Sequence, residues 1–232
     1  MRTPARRFVP ALDTDDLAEA LRLVEAVDPA PSVYGYKLGF ALGLAHGLGA
    51  VVQAIRRVSS RPLLYDHQKA GTDIPDTAPL FARVVSQAGI DEVIVFPQAG
   101  PATLASLVLA LRDAGRKVIV GGIMTHERYL VSEGGYLSDA GMLDAYRLAA
   151  GMGVRAFVVP LTKPGQVRAV VQALGPEGDW EFYSPGLGAQ GGRTDEVRLP
   201  GKHFVIVGRS LMKAADPLST LAGFEAPGGP NP

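Results

Sequence analysis

The sequence predicts an α/β protein built as a single (β/α)8 TIM barrel, and three observations support this. Eight short apolar runs lie along the chain, segments with apolar residues about 3.6 positions apart separate them, and the chain has 232 residues. Strands that alternate with helices pair in parallel through right-handed crossovers, and eight such units in this length fit one closed barrel. A doubly wound open sheet remains the alternative, because periodicity does not show whether a sheet closes.

The predicted strands are rich in β-branched and aromatic residues and are bounded by turn residues. They cover residues 8–12, 33–37, 62–65, 92–96, 117–121, 156–160, 181–184 and 204–207. The predicted helices show the 3.6-residue period, and several end at the glycine that favours a helix carboxyl terminus. The clearest helical segments are residues 15–27, 103–115, 142–153 and 164–175.

The alternating pattern has no linker within it, which predicts one catalytic domain over residues 1–222. The following residues, 223–232, end in APGGPNP, and this composition is typical of a flexible carboxyl-terminal tail.

Charge and composition exclude several classes of function. The 23 basic and 23 acidic residues cancel, so the sequence indicates no nucleic-acid or membrane partner. The absence of cysteine excludes disulfides, thiolate catalysis and thiolate metal sites. The apolar stretch before Asp13 is too short for a signal peptide, and no run is long enough for a membrane helix. We therefore expect a cytoplasmic protein.

Polar and charged residues follow most of the predicted strands at their carboxyl ends. A (β/α)8 barrel carries its active site at that end, so these side chains are expected to converge on one rim. They are Asp13, Lys37, Asp66, Thr125, His126, Gln190 and Arg209.

Two loops on this rim are typical of phosphate binding. SPGLGAQGG, residues 184–192, contains four glycines, which let the backbone approach a ligand and direct amide hydrogens toward it. VGRSL, residues 207–211, places Arg209 where the last strand meets a helix amino terminus. The loops after strands seven and eight often bind phosphate in such barrels, so we expect a phosphorylated substrate.

Five segments in this order resemble orotidine 5'-monophosphate decarboxylases: ALDTDD (11–16), YKLGF (36–40), the pattern D..K...DIPDT (66–77), SPGLGAQGG (184–192) and IVGRSL (206–211). The similarity extends over nearly the whole chain, and the lysine–aspartate stretch and the glycine-rich loop are its most specific parts. It implies a (β/α)8 homodimer that converts orotidine 5'-monophosphate to uridine 5'-monophosphate in pyrimidine synthesis, with no cofactor and no metal.

The resemblance also implies a role for each charged residue. Lys69 is the proton donor, Asp66 faces the carboxylate that leaves, and Asp73 enters the site of the neighbouring subunit. Lys37 pairs with these acids and, together with Asp13, meets the ribose. Alternating lysines and aspartates keep one another ionised, because each charge lowers the free-energy cost of ionising the group beside it.

The remaining substrate contacts are expected from residues that match the family pattern around the rim. Gln190 would span the base and the phosphate, and the Thr125 hydroxyl would contact the pyrimidine, although a helix N-cap is an alternative role for Thr125. The full set is Asp13, Ile74, Thr77, Thr125, Pro185, Gln190, Gly208 and Arg209.

This chemistry explains a charge-rich strand end. Loss of carbon dioxide from an orotate ring leaves an electron pair in an in-plane orbital at C6, where no carbonyl can delocalise it. A lysine ammonium can stabilise that carbanion and then protonate it. At ~4 Å and an effective dielectric of about 20, one charge pair supplies roughly 4 kcal/mol, so several are needed to lower a barrier by about 20 kcal/mol.

The stretch YDHQKAGTDIPDT, residues 65–77, departs from the family in its spacing. The family pattern is Asp-x-Lys-x-x-Asp-Ile, whereas Asp66, Lys69 and Asp73 are spread over two more positions here. Side chains alternate along a regular strand, so Asp66 and Lys69 would face opposite sides. We expect a bulge or an early turn after Asp66 to bring them together, with Gly71 absorbing the second extra residue.

Three other functions remain open at this stage. A related barrel family decarboxylates or condenses sugar phosphates with magnesium, and it places an acidic residue where Lys37 lies here. A catalytically silent nucleotide-binding barrel would result if the altered spacing separates the charges. A regulatory or heterodimerising partner is the third, although the sequence shows no apolar stripe or charge run that favours it.

Overall fold

The computed structural model describes residues 6–66, 72–176, 178–185 and 199–225. Eight parallel strands form a closed barrel in chain order, and β8 pairs back with β1. The closed sheet confirms the predicted (β/α)8 fold and rules out the open-sheet alternative. The strands are β1 Arg7–Leu12, β2 Tyr36–Leu38, β3 Leu63–Asp66, β4 Glu92–Val95, β5 Lys117–Gly121, β6 Ala156–Val158, β7 Glu181–Ser184 and β8 Lys202–Val207.

The second strand differs most from its predicted bounds. Val33, at the start of the predicted run, forms only an isolated bridge with Phe8. Regular pairing with the third strand begins at Tyr36, whose amide donates to the Pro62 carbonyl at 2.9 Å. Gly35 lies so close to Pro62 that a Cβ there would be 2.3 Å from the same carbonyl oxygen. The strand therefore starts later than its apolar composition indicates.

Helices surround the barrel. The helices are α1 Leu17–Val27, α2 Phe40–His46, α3 Leu48–Arg56, α4 Ala78–Gln87, α5 Pro101–Asp113, α6 Asp139–Gly151, α7 Pro164–Leu174, α8 Arg209–Met212 and α9 Pro217–Glu225. Short 3₁₀ turns cover Pro75–Thr77 and Val131–Glu133. Within the described parts of the chain, no helix has the length and apolar character needed to cross a membrane.

The last helix corrects the predicted start of the tail. Helix α9 continues to Glu225, so residues 223–225 are helical rather than part of a flexible segment. Phe224 is buried, and its ring centroid lies 6.4 Å from that of Phe8. The apolar side chain at 224 thus anchors the helix against the barrel. Residues 226–232 lie outside the described chain.

The core has two parts, one inside the barrel and one between the barrel and the helices. Ala11 and Leu64 face the interior, and side chains alternate along a strand, so Asp13 and Asp66 are directed to the same side. Lys37 pairs in register with Ala11 on the neighbouring strand. The alternation that fills the barrel with apolar side chains therefore brings charged ones together at its carboxyl end.

Candidate active site

A buried lysine between two carboxylates forms the centre of the candidate site. The Lys37 Nζ lies 2.8 Å from Asp13 Oδ1 and 3.0 Å from Asp66 Oδ2. Asp13 follows β1, Lys37 lies in β2 and Asp66 ends β3, so three adjacent strands position the three groups. The convergence predicted for these residues is confirmed.

The two carboxylates control the charge of Lys37. Burial alone would lower the pKa of the ammonium, but the carboxylates of Asp66 and Asp13 outweigh it and raise that pKa above its usual value. Lys37 is consequently a permanent cation at neutral pH. A fixed positive charge inside a barrel mouth is suited to a substrate that carries or develops negative charge.

The Asp13 carboxylate lies against two glycines, and one of them, Gly39, leaves the space that it occupies. A Cβ at Gly39 would lie 2.8 Å from Asp13 Oδ1, so a larger residue there would displace the carboxylate. A Cβ at Gly208 would lie 3.5 Å from Asp13 Oδ2. Gly208 precedes Arg209, and the start of the predicted phosphate loop therefore adjoins the charged centre. The role of Gly39 was not predicted, although it lies in the YKLGF segment.

The residues predicted to bind phosphate follow the seventh and eighth strands. Pro185 is half-buried directly after β7, and Arg209 is an exposed residue that begins α8 directly after β8. These two strands are paired, so both positions lie on one part of the rim. Gln190 and most of its glycine-rich loop lie outside the described residues.

Asp73, Ile74 and Thr77 lie on an exposed segment before α4. The Asp73 Oδ1 accepts a hydrogen bond from the Ile74 amide at 2.7 Å, and the Asp73 carbonyl accepts one from Thr103 Oγ1 at 2.8 Å. Thr77 Oγ1 donates to the Ile74 carbonyl at 2.8 Å, while the Ile74 side chain is 61% exposed. Among the described residues, no ion pair joins Asp73 to Lys37.

Lys69 lies outside the described residues, as do His67 and Gly71. The bulge or early turn expected after Asp66 therefore stays a prediction. Asp66 itself is the last residue of β3 and its carboxylate reaches Lys37, so the carboxylate end of the predicted network is in place.

Thr125 lies in an irregular segment after β5 and is half-buried. No helix begins at this described position, so the N-cap alternative for Thr125 is wrong. Its carbonyl accepts a hydrogen bond from Thr162 Oγ1 at 3.3 Å, which ties the loop after β5 to the loop after β6. A contact between the Thr125 hydroxyl and a base stays a prediction.

The carboxyl rim thus combines a buried ammonium, two carboxylates and the loops where barrels commonly bind phosphate. This combination defines a (β/α)8 barrel enzyme with a charged site at the carboxyl ends of its strands. The chain belongs to the Orotidine 5'-phosphate decarboxylase / HUMPS family, whose model matches residues 6–224. The resemblance read from the sequence segments is confirmed.

Individual relatives agree with the family match. The chain is 35% identical over 209 residues to the orotidine 5'-phosphate decarboxylase of Methanosarcina barkeri, covering 89% of this chain and 87% of that protein. It is 30% identical over 212 residues to the enzyme of that name from Pyrococcus abyssi, covering 90% and 93%.

Solved structures show the same fold. Orotidine 5'-monophosphate decarboxylase from Methanocaldococcus jannaschii, complexed with the inhibitor BMP, superposes with a TM-score of 0.81 at 24% identity, covering 95% of this chain and 97% of that one. The orotidine 5'-phosphate decarboxylase of Pyrococcus horikoshii OT3 gives 0.76 at 24% identity, covering 94% and 97%.

Proposed function

We propose that the protein decarboxylates orotidine 5'-monophosphate to uridine 5'-monophosphate in pyrimidine synthesis, without a cofactor or a metal. The observation that carries this proposal is the Lys37 ammonium held between Asp13 and Asp66 at the carboxyl rim. Membership of the family, and the names of relatives that match almost the full chain, support the same activity.

The proposed reaction uses charge alone. The bond between C6 and the carboxylate breaks, its electron pair stays on C6, carbon dioxide leaves, and the Lys69 ammonium supplies the proton that completes the product. Asp66 faces the departing carboxylate, and its repulsion of that group is relieved as carbon dioxide forms. Lys37 holds Asp66 in place, since the two side chains are 3.0 Å apart.

The phosphate is proposed to bind where Pro185, Gly208 and Arg209 meet on the rim. The guanidinium of Arg209 can make two parallel hydrogen bonds to phosphate oxygens, and Gln190 would close over the nucleotide from its loop. Asp13 and Lys37 then lie between the phosphate and the reacting ring, where a ribose would be. Binding energy from the phosphate can hold the ring against the charged centre.

A homodimer is proposed to complete each site. Asp73, Ile74 and Thr77 would enter the partner's pocket, and an exposed apolar surface around them supports this. Helices α4 and α5 contact the segment before α4, and α2 follows the neighbouring strand β2. Exposed apolar side chains on these elements are Phe40, Leu44, Ile74, Leu80, Val84 and Leu109.

The magnesium-dependent alternative is less well supported. The related family places an acidic residue where Lys37 lies, and here the ammonium already occupies the space between two carboxylates. A silent nucleotide-binding barrel remains the second alternative, because Lys69 lies outside the described residues. The cytoplasmic location also stays a prediction.

Turnover of orotidine 5'-monophosphate by purified protein in the presence of a chelator tests the proposal. We expect equal amounts of carbon dioxide and uridine 5'-monophosphate, and a loss of at least about a thousandfold in kcat/KM for Lys69→Ala. Lys202→Ala, at the amino-terminal end of β8, is the matched control and should keep its activity. Activity that requires magnesium would favour the sugar-phosphate alternative, and tight nucleotide binding without turnover would favour the silent barrel.

A further inference from the structure

We propose that Lys163 is a positioning residue for the pyrimidine. From the loop after β6, its ammonium fixes the backbone of the loop after β5, and this holds the Thr125 hydroxyl toward the base. The inference rests on the proposed function, because it assigns Thr125 to the substrate's ring.

The Lys163 ammonium joins two points of that loop. Its Nζ lies 2.7 Å from Glu133 Oε2, and it donates to the His126 carbonyl at 2.7 Å. The Lys163 and Glu133 side chains are only 10% and 19% exposed, so solvent screens their attraction little. Thr162, the preceding residue, donates to the Thr125 carbonyl. The successive carbonyls of Thr125 and His126 are therefore both held from the loop after β6.

Glu133 makes the far end of this loop rigid. Its Oε2 also accepts from the backbone amides of Tyr129 and Leu130, at 3.2 and 3.4 Å. The Gln98 side chain donates to the Tyr129 hydroxyl at 3.0 Å, which ties the same loop to the chain after β4. The carboxylate thus closes the turn, and Lys163 connects that closed turn to the segment that carries Thr125.

The helix that follows Lys163 gives no other reason for a lysine at this position. Lys163 is the N-cap residue of α7, where Ser, Thr, Asp and Asn are preferred, and its side chain makes no cap hydrogen bond. A cation at a helix amino terminus is also opposed by the helix dipole. The contacts with Glu133 and His126 account for its presence.

A double-mutant cycle tests the coupling between Lys163 and Thr125. Lys163→Met and Thr125→Val should each lower kcat/KM for orotidine 5'-monophosphate about tenfold, the loss expected for one hydrogen bond. The double variant should also lose about tenfold, because both substitutions remove the same contact. Independent losses that multiply to about a hundredfold would overturn the inference.

Binding measurements separate this inference from the proposed function. Lys163→Met should weaken binding of uridine 5'-monophosphate and leave binding of ribose 5-phosphate unchanged, because only the first ligand has a base. Equal weakening of both ligands would show that Lys163 is merely structural. Wild-type protein that binds uridine 5'-monophosphate without decarboxylating its precursor would refute the proposed function, and the binding comparison would still decide the role of Lys163.

Two further variants keep the test valid if Lys163→Met does not fold. Lys163→Arg keeps the charge and should restore most of the affinity for uridine 5'-monophosphate. Glu133→Gln removes the ion pair and should reproduce the selective loss. Full affinity in Glu133→Gln, or no rescue in Lys163→Arg with the fold retained, would contradict the inference.

Discussion

Lys37 is a buried ammonium, and burial of a lone charge costs several kcal/mol in a protein. Asp13 and Asp66 offset that cost at 2.8 and 3.0 Å. The arrangement is not symmetrical, because the Asp13 side chain is 51% exposed whereas Asp66 is nearly buried. Asp13 can therefore turn to a ligand while Asp66 continues to hold Lys37.

Lys37→Met should abolish activity and destabilise the fold by about 3 kcal/mol, because it leaves two neighbouring carboxylates without their cation. Urea unfolding at pH 7 measures the change. Arg147→Met is the control, since the exposed Arg147–Asp144 pair should contribute under about 1 kcal/mol.

The pH dependence of that difference follows from the raised pKa of Lys37. A raised lysine pKa stabilises the fold fully below the unfolded value of about 10.4, and the stabilisation is lost as pH rises through the folded pKa. The difference in free energy of unfolding between wild type and Lys37→Met should thus stay constant around neutral pH and become smaller in strong base. A stability difference that already shrinks as the pH rises from 7 to 9 would contradict the proposed electrostatics.

At the scale of elements, a second charged cluster closes the opposite end of the barrel. Glu92, Lys117 and Glu181 are the first residues of β4, β5 and β7. The Lys117 Nζ lies 2.6 Å from Glu181 Oε2 and donates to the Tyr183 hydroxyl at 2.9 Å. Tyr183 in turn donates to Glu92 Oε2 at 3.2 Å. Charges at the amino-terminal face of such a barrel serve stability, because the site lies at the other face.

As the pH rises, ionisation of Glu92 and ionisation of Glu181 should change the stability of the fold in opposite directions. Burial raises the pKa of Glu92, so its ionised form weakens the fold as pH rises. Although burial opposes it, the contact with Lys117 lowers the pKa of Glu181, so this ionised form strengthens the fold above its unfolded pKa.

Thermal unfolding of Glu92→Gln and Glu181→Gln between pH 4 and pH 7 tests these directions. At pH 7, Glu92→Gln should be at least as stable as wild type, and its advantage should disappear near pH 4. Glu181→Gln should lose about 1–2 kcal/mol at pH 7, and the loss should shrink toward acid. Parallel behaviour of the two variants would contradict the assignment.

The sequence predicts elements well where a local pattern determines them and poorly where a neighbour does. Each predicted strand overlaps an observed one, but β2 starts late because its pairing with β3 begins only at Tyr36. The predicted runs beginning at 92, 117 and 181 each open with a charge, and this shared position was an available signal for the amino-terminal cluster. The cluster was missed because a charged residue at the start of one strand does not indicate which other charges lie beside it in the closed barrel.

At the scale of the whole molecule, the site also divides into residues placed by the strand pattern and residues placed by contacts between loops. Asp13, Lys37 and Asp66 could be placed together from the sequence, because strand order and alternation determine where they lie. Lys163 and Glu133 could not, because their contact depends on the conformations of two loops. Proximity across loops is set by side-chain contacts that leave no periodic pattern in the chain.

The proposed dimer explains why Asp73 and Ile74 are exposed on the segment before α4. The Asp73 carboxylate accepts a hydrogen bond from the backbone amide of Ile74 in the same chain, and the Ile74 side chain is exposed to solvent. A two-fold dimer would bury such a surface twice, because the same patch contacts itself in both subunits. Each site would then take Lys69 from one chain and Asp73 from the other.

Mixing two inactive variants tests whether the site is shared. A heterodimer of Lys69→Ala and Asp73→Ala has one site with both original residues and one site with neither. After complete subunit exchange, half of the dimers are mixed, so activity should return to about a quarter of the wild-type value. Lys69→Ala mixed with Lys37→Met is the control and should stay inactive, since every site then lacks one lysine. An inactive first mixture, with exchange shown by mass spectrometry of tagged subunits, would mean that Lys69 and Asp73 act within one chain.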